Sequence, residues 1–252
     1  MLRFADKVVL VTGAAAGIGE ATARRFADEG ASVVLADWSL DKAQVVASEL
    51  HSGKALAVHV DVSILKSVQQ MIDATLQRFG RLDVLVNNAG VHIPGTVLDA
   101  TEADWRKISS VNIDGVIFCS KLALPYLVES KGCIVNTASV SGLGGDWGGA
   151  FYCASKGAVV NFTRALALDH GAQGVRVNSV CPGLTRTAMT WDWDQSVRDK
   201  FYERIPLQRE ALPSEVAAVI AFLASADASF INGVNLPVDG GQTASDGQPR
   251  VG

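Results

Sequence analysis

The chain has little of what would mark a metalloprotein, a secreted protein or a nucleic-acid binder. Its four cysteines, Cys119, Cys133, Cys153 and Cys181, show no CxxC spacing and lie among apolar or small residues. That context reads as reduced, buried thiols rather than a disulfide framework. His51, His59, His92 and His170 never pair at ligand spacing, and neither an HExxH motif nor a carboxylate cluster accompanies them, so no metal is expected. A net charge of −4 without any basic run argues against nucleic acid and anionic membranes as partners. The longest purely apolar run, Val216 to Ala224, covers nine residues, whereas a membrane span needs roughly 20. The opening MLRFADKVVLVTG carries Asp6 and only a short apolar segment before Thr12, unlike a secretory signal, and a cytoplasmic location is the expectation.

What is present is a chain of 252 residues, 48% of them hydrophobic and 19% charged, enough for one substantial core. A single domain over residues 1–252 is expected. Apolar, β-rich runs at 7–12, 31–36, 54–60, 82–87, 132–138, 174–180 and 233–238 alternate with helical patterns. Because these runs are almost continuously apolar, they suit strands covered on both faces. The fold class is therefore α/β: one doubly wound, Rossmann-type parallel sheet of about seven strands with helices on both faces. Thr101 with Asp104 reads as a capping box opening a helix through Tyr126, and Pro213-Ser214-Glu215 opens another to Ala224. The stretch from Leu184 to Glu210 reads as one long irregular loop, a candidate substrate lid.

Directly after the first strand comes Thr12-Gly13-Ala-Ala-Ala-Gly17-Ile18-Gly19, followed by a helical pattern. Glycines let a pyrophosphate approach the backbone, and free amides at the helix start favour its charge. Asp37 ends the second strand, where an acid can grip both hydroxyls of a ribose. A 2′-phosphate would meet that carboxylate with no cation nearby, since Ala16 precedes Gly17 and Trp38 follows Asp37. The pattern therefore favours NAD over NADP.

Tyr152 and Lys156 stand four apart in a helical segment and share one face. Lowering a phenol from its ordinary pKa to about 7 takes roughly 4 kcal/mol, and an ammonium about 4 Å away supplies that at an effective dielectric of about 20. Ser139 follows the fifth strand, at the sheet edge where open α/β folds place ligands, and Asn87-Asn88-Ala89-Gly90 ends the fourth at the same edge. Asn112 interrupts the apolar stretch Val111 to Phe118, where a buried amide demands partners; taken alone, it is equally a structural asparagine.

With TGxxxGxG, NNAG, Ser139, YxxxK and Pro182-Gly183 in this order, the sequence resembles the short-chain dehydrogenase/reductase family over nearly its whole length. The resemblance implies that Tyr152 is the acid/base, that Lys156 lowers its pKa and holds the nicotinamide ribose, and that Ser139 orients the reacting oxygen. Asn112 would support a water-linked proton relay. The resemblance further implies a cofactor site at Gly13, Gly17, Ile18, Gly19, Asp37, Trp38, Asp61, Val62, Asn88, Ala89, Gly90, Pro182, Gly183, Thr185 and Thr187. Asp61 and Val62 would touch adenine, although Asp61 also reads as a cap for the next helix, a job Ser63 can do as well.

Within the family, Ala36-Asp37-Trp38, the block Ser139 to Gly148, Ala228 to Gly233 and the tail Thr243 to Pro249 resemble the acetoin/diacetyl reductase branch, or 2,3-butanediol dehydrogenases. That resemblance implies diacetyl, acetoin or butanediol as the small-molecule partner, with NAD. The expected substrate residues are Ser139, Val140, Trp147, Tyr152 and Trp191; Trp147 stands in the glycine-rich wall Ser141 to Gly149 and Trp191 in the lid, and both read equally as packing or oligomer residues. Trp193 belongs to the same lid. A polyol, hydroxysteroid or 3-oxoacyl thioester remains an alternative substrate, and a non-catalytic dinucleotide-binding regulator an alternative role. The family also implies a homotetramer. Eleven residues follow Gly241; this tail, 242–252, is expected to cross a subunit boundary and bring Gln248 or Pro249 toward a neighbour's active-site mouth.

Overall fold

The computed structural model describes residues 2–50, 53–245 and 247. Seven strands form one sheet: β1 (Val8–Thr12), β2 (Ser32–Asp37), β3 (Ala55–His59), β4 (Val84–Asn87), β5 (Cys133–Thr137), β6 (Arg176–Pro182) and β7 (Asn235–Val238). The helices between them are α1 (Gly17–Asp28), α2 (Leu40–Ser48), α3 (Leu65–Phe79), α4 (Glu102–Ser109), α5 (Gly115–Ser130), α6 (Ala150–His170), α7 (Gln195–Tyr202) and α8 (Pro213–Ala224). Strand order is β3-β2-β1-β4-β5-β6-β7, and every pairing is parallel. All seven expected strands are present, shifted by one or two residues at their ends.

Successive strand residues point to opposite faces, and here both faces are covered. Val9 and Val11 of β1, with Val33 and Leu35 of β2, join a core with Phe26 of α1 and Ile220 of α8. Val8 and Leu10, with Val34 and Ala36, join a second core with Met71 and Ile72 of α3 and Leu127 of α5. This is why the strands read as unbroken apolar runs instead of alternating ones.

The helix starts match their sequence signals. Thr101 and Asp104 form a reciprocal capping box at α4, and the Glu215 carboxylate accepts from the Leu212 amide at 2.8 Å just ahead of Pro213. Between α4 and α5 one wider π turn, Ser110–Asp114, carries Asn112. The helical body Glu102–Ser130 has the length and apolarity of a membrane span. Its Val116, Cys119, Ala123 and Leu127 are instead buried inside the protein, as in a core helix. The four cysteines are free, and burial pushes the Cys119 thiol up to about 12 and Cys133 to about 11.

The expected irregular lid needs correction. Residues 184–210 contain α7, and an isolated parallel bridge between Thr185 and Ala211 closes the segment at its base. Glu210, 4% exposed, accepts from Arg186 Nε at 2.6 Å and also takes Arg198 Nη1, while Arg198 Nη2 donates to the Thr190 carbonyl at 2.6 Å.

Candidate active site

The chain builds outward from β1 to β3, then crosses back to β4, so strand order reverses between β1 and β4. Ligands of open α/β sheets bind where this happens, beyond the strands' carboxyl ends. A cavity of about 700 Å³ opens there.

Its floor is the glycine turn. Gly13 and Gly17 have φ of 66° and 58°, and a Cβ on Gly19 would stand 2.0 Å from the Gly13 carbonyl oxygen. No other residue fits Gly19 without moving backbone. Thr12 Oγ1 accepts from the amides of Asn88 and Ala89 at 3.0 and 3.1 Å, and Asn88 Nδ2 donates to the carbonyls of Thr12 and Gly13 at 3.1 and 3.2 Å. The end of β4 thus holds the turn rigidly open.

Gly13, Gly17, Ile18, Trp38 and Asn88 to Gly90 line the cavity, as do Pro182, Gly183, Thr185 and Thr187. Asp37 is nearly buried at the end of β2, its carboxylate accepting from Ala15 N at 3.0 Å and Ser39 N at 2.9 Å. Beside it, Trp38 is 81% exposed. Four expected cofactor residues, Gly19, Asp37, Asp61 and Val62, do not form part of the cavity wall. The Asp61 carboxylate accepts from the amide and hydroxyl of Ser63 at 3.0 and 2.6 Å, and these bonds, the hydroxyl's foremost, hold its pKa down. Val62 packs into the core, leaving no room for a Cβ on Gly115 of α5.

Ser139, Tyr152 and Lys156 converge on the cavity. Ser139 leaves β5 and accepts from Ser141 N at 3.1 Å, which fixes its hydroxyl. Tyr152 and Lys156 come from the first two turns of α6. Lys156, 5% exposed, donates to the Thr137 carbonyl at 2.8 Å, and burial brings its pKa down to about 8. The expected acidification of Tyr152 by this lysine is not found. Burial raises the phenol above its ordinary value of 10.0, and the opposing, downward pull comes from Ser139. The ammonium is committed elsewhere: Nζ, 5.7 Å from the Tyr152 ring centre, gives its hydrogen bond to a backbone carbonyl.

Asn112 is fully buried and satisfied. It accepts from Val91 N at 2.8 Å and donates to the Val91 carbonyl at 2.9 Å and to Ser155 Oγ at 3.0 Å. It does not line the cavity, but a Cβ on Gly90 would meet Asn112 Oδ1 at 3.3 Å and Lys156 Nζ at 3.4 Å. Glycine at this position lets amide and ammonium both pack close to the NNAG turn.

Of the expected substrate residues, Ser139, Val140, Trp147 and Tyr152 face the cavity. Trp191 does not; it is 70% exposed, and its place is taken by Trp193, stacked on Phe201 of α7 at 5.1 Å between ring centroids. Sequence reasoning missed His92, Met189 and Gln242, which also line it, as does Asp146 of the Ser139 to Gly148 block. Gln248 and Pro249 lie outside the described residues.

The family model described as Enoyl-(Acyl carrier protein) reductase matches residues 13–243. The chain belongs to the short-chain dehydrogenase/reductase family. It is 64% identical to the meso-2,3-butanediol dehydrogenase of Serratia marcescens over 99% of this chain and 100% of that protein. It is 37% identical to a 3-oxoacyl-acyl-carrier-protein reductase of Thermotoga maritima, over 95% of this chain and 99% of that protein. Among solved structures, the 3-ketoacyl-(acyl-carrier-protein) reductase of Brucella melitensis complexed with NADH superposes with a TM-score of 0.90 at 36% identity, covering 96% of this chain and all of that one. This short-chain dehydrogenase/reductase is thus an oxidoreductase, and its relatives span diols and acyl thioesters.

Proposed function

We propose that the chain is an NAD-dependent dehydrogenase/reductase of small secondary alcohols and ketones, acting on diacetyl, acetoin and 2,3-butanediol. The convergence of Ser139, Tyr152 and Lys156 on one cavity beside the glycine turn carries the reaction type. The 64% identity to a butanediol dehydrogenase supports the substrate.

The cavity suits a dinucleotide: at Gly17 a Cβ would approach Thr187 Cγ2 to 3.2 Å, and at Gly19 it would strike backbone. Gly13, Gly17 and Ile18 would hold the pyrophosphate, Asp37 the adenosine ribose, Lys156 the nicotinamide ribose, and Thr185 and Thr187 the carboxamide and phosphates. When bound, the nicotinamide gives or takes the hydride at the carbinol carbon. Ser139 orients the substrate oxygen. Tyr152 protonates that oxygen in reduction and removes its proton in oxidation. A proton leaving or reaching Tyr152 passes on the Lys156 side, where the absence of a side chain on Gly90 lets Asn112 Oδ1 and Lys156 Nζ both come close to its backbone. Asp37 favours NAD because a 2′-phosphate would bring two negative charges together with no arginine or lysine at 16 or 38. A homotetramer is the assembly proposed; sedimentation velocity tests it.

Incubating the enzyme and NADH separately with diacetyl, acetoin, a keto sugar, a 3-ketosteroid and acetoacetyl thioester tests the substrate. Diacetyl and acetoin are expected to give the highest kcat/KM. A preference for the thioester or the steroid contradicts the proposal, and the absence of any turnover favours a binding protein.

A further inference from the structure

The segment after the NNAG turn carries a side chain that the mechanism above does not use. His92 lines the cavity with its ring edge-on to Tyr152, at 4.9 Å between centroids and an interplanar angle of 86°. Neither ring nitrogen makes a hydrogen bond among the described residues. The strap that bears it is tied on both sides: Asn112 grips Val91 through both its amide and its carbonyl, at 2.8 and 2.9 Å, and Gly95 N donates to the Gly148 carbonyl at 2.7 Å. A polar ring is thus fixed at the substrate end of the cleft, beside the catalytic phenol, with its nitrogens uncommitted.

We propose that His92 binds the second oxygen of the substrate, the one on the carbon adjacent to the reacting carbinol, and so selects vicinal diols, hydroxyketones and diones over simple alcohols and ketones. This rests on reading the site as a secondary-alcohol oxidoreductase. Ser139 and Tyr152 are committed to the reacting oxygen. A neutral imidazole has one N–H donor and one lone pair, so it serves a neighbouring hydroxyl or a neighbouring carbonyl equally. Burial keeps it neutral, lowering its pKa against the opposing pull of Asp146. Asp146, on the same wall, already accepts from Ser141 Oγ at 3.1 Å, and as a carboxylate it has no proton to give a carbonyl.

The test compares kcat/KM for acetoin with that for butan-2-one, which has the same carbon skeleton and one oxygen fewer, using NADH with wild-type enzyme, His92→Phe and His92→Asn. Phenylalanine keeps a ring against Tyr152 but removes both nitrogens. The acetoin-to-butanone ratio is expected to fall roughly 10- to 100-fold in His92→Phe, as the loss of one well-placed hydrogen bond implies. His92→Asn, with a donor and an acceptor, is expected to recover part of it. A ratio within about twofold of wild type in His92→Phe, both substrates falling together, overturns the proposal and leaves His92 as packing for Tyr152. If wild-type enzyme reduces neither acetoin nor diacetyl while turning over another ketone, the functional reading itself fails, a result distinct from an unchanged ratio.

Discussion

Lys156 and Tyr152 share a face of α6, with Nζ 5.7 Å from the ring centre, and the lysine's hydrogen bond goes to Thr137 instead of toward the phenol. The pair is therefore a buried lysine tied to the backbone beside a phenol whose pKa burial raises. Two features point to where activation arises: Ser139 is the group drawing the phenol's pKa down, and Lys156, at about 8, exchanges its proton near neutral pH.

That buried lysine makes stability depend on pH. Its folded pKa of about 8 lies below its ordinary 10.5. Between those values the unfolded chain binds more protons, so this residue's contribution makes stability rise with pH across that window. Lys156→Met removes it. In urea unfolding, the variant is expected to gain most on wild type below pH 8, with the difference shrinking as pH rises toward 10.5. A difference that does not change with pH contradicts the assignment.

In the proposed function, cofactor choice rests on the end of β2. Asp37→Ala combined with Trp38→Arg replaces a carboxylate by a cation where a 2′-phosphate would lie. The NADP-to-NAD ratio of kcat/KM is expected to rise by about 100-fold or more, the worth of one charge-assisted pair gained and one repulsion removed. An unchanged ratio means that Asp37 does not face the ribose.

Glu210 is the buried anchor of segment 184–210, with Arg198 only 12% exposed beside it. Glu210→Ala strands that guanidinium, at a cost of about 3–5 kcal/mol, and frees the segment that carries Met189 and Trp193 into the cavity. A lower urea midpoint together with a severalfold higher KM for acetoin is expected. Unaltered stability and KM would show that this segment is held by other contacts.

Most of the fold was legible because its determinants are local and periodic. The strands announce themselves by burial on both faces, α4 by Thr101 and Asp104, and α8 by Pro213 and Glu215. The glycine turn and YxxxK were legible for the same reason, since each is a short span whose spacing fixes its geometry. Helix α7 was missed because it buries none of its residues completely, so no apolar stripe marks it; what fixes it is Glu210, distant in sequence. The exchange of Trp191 for Trp193 is a question of which way a loop turns, and nothing periodic records that. His92 and Gln242 reach the cavity through long-range closure of the chain, and Asp61 carried two readings until its bonds to Ser63 were seen. The pKa of Tyr152 was misjudged because spacing along a helix gives a shared face without giving the partner of the ammonium.

The central claim is that Tyr152 is the proton donor and acceptor at the substrate oxygen. It is tested most directly by measuring kcat for acetoin reduction and the Kd for NADH in Tyr152→Phe. The account predicts a kcat lower by roughly 100- to 10,000-fold, the range for loss of a positioned acid, with NADH binding close to wild type. Turnover that persists near the wild-type rate would contradict it.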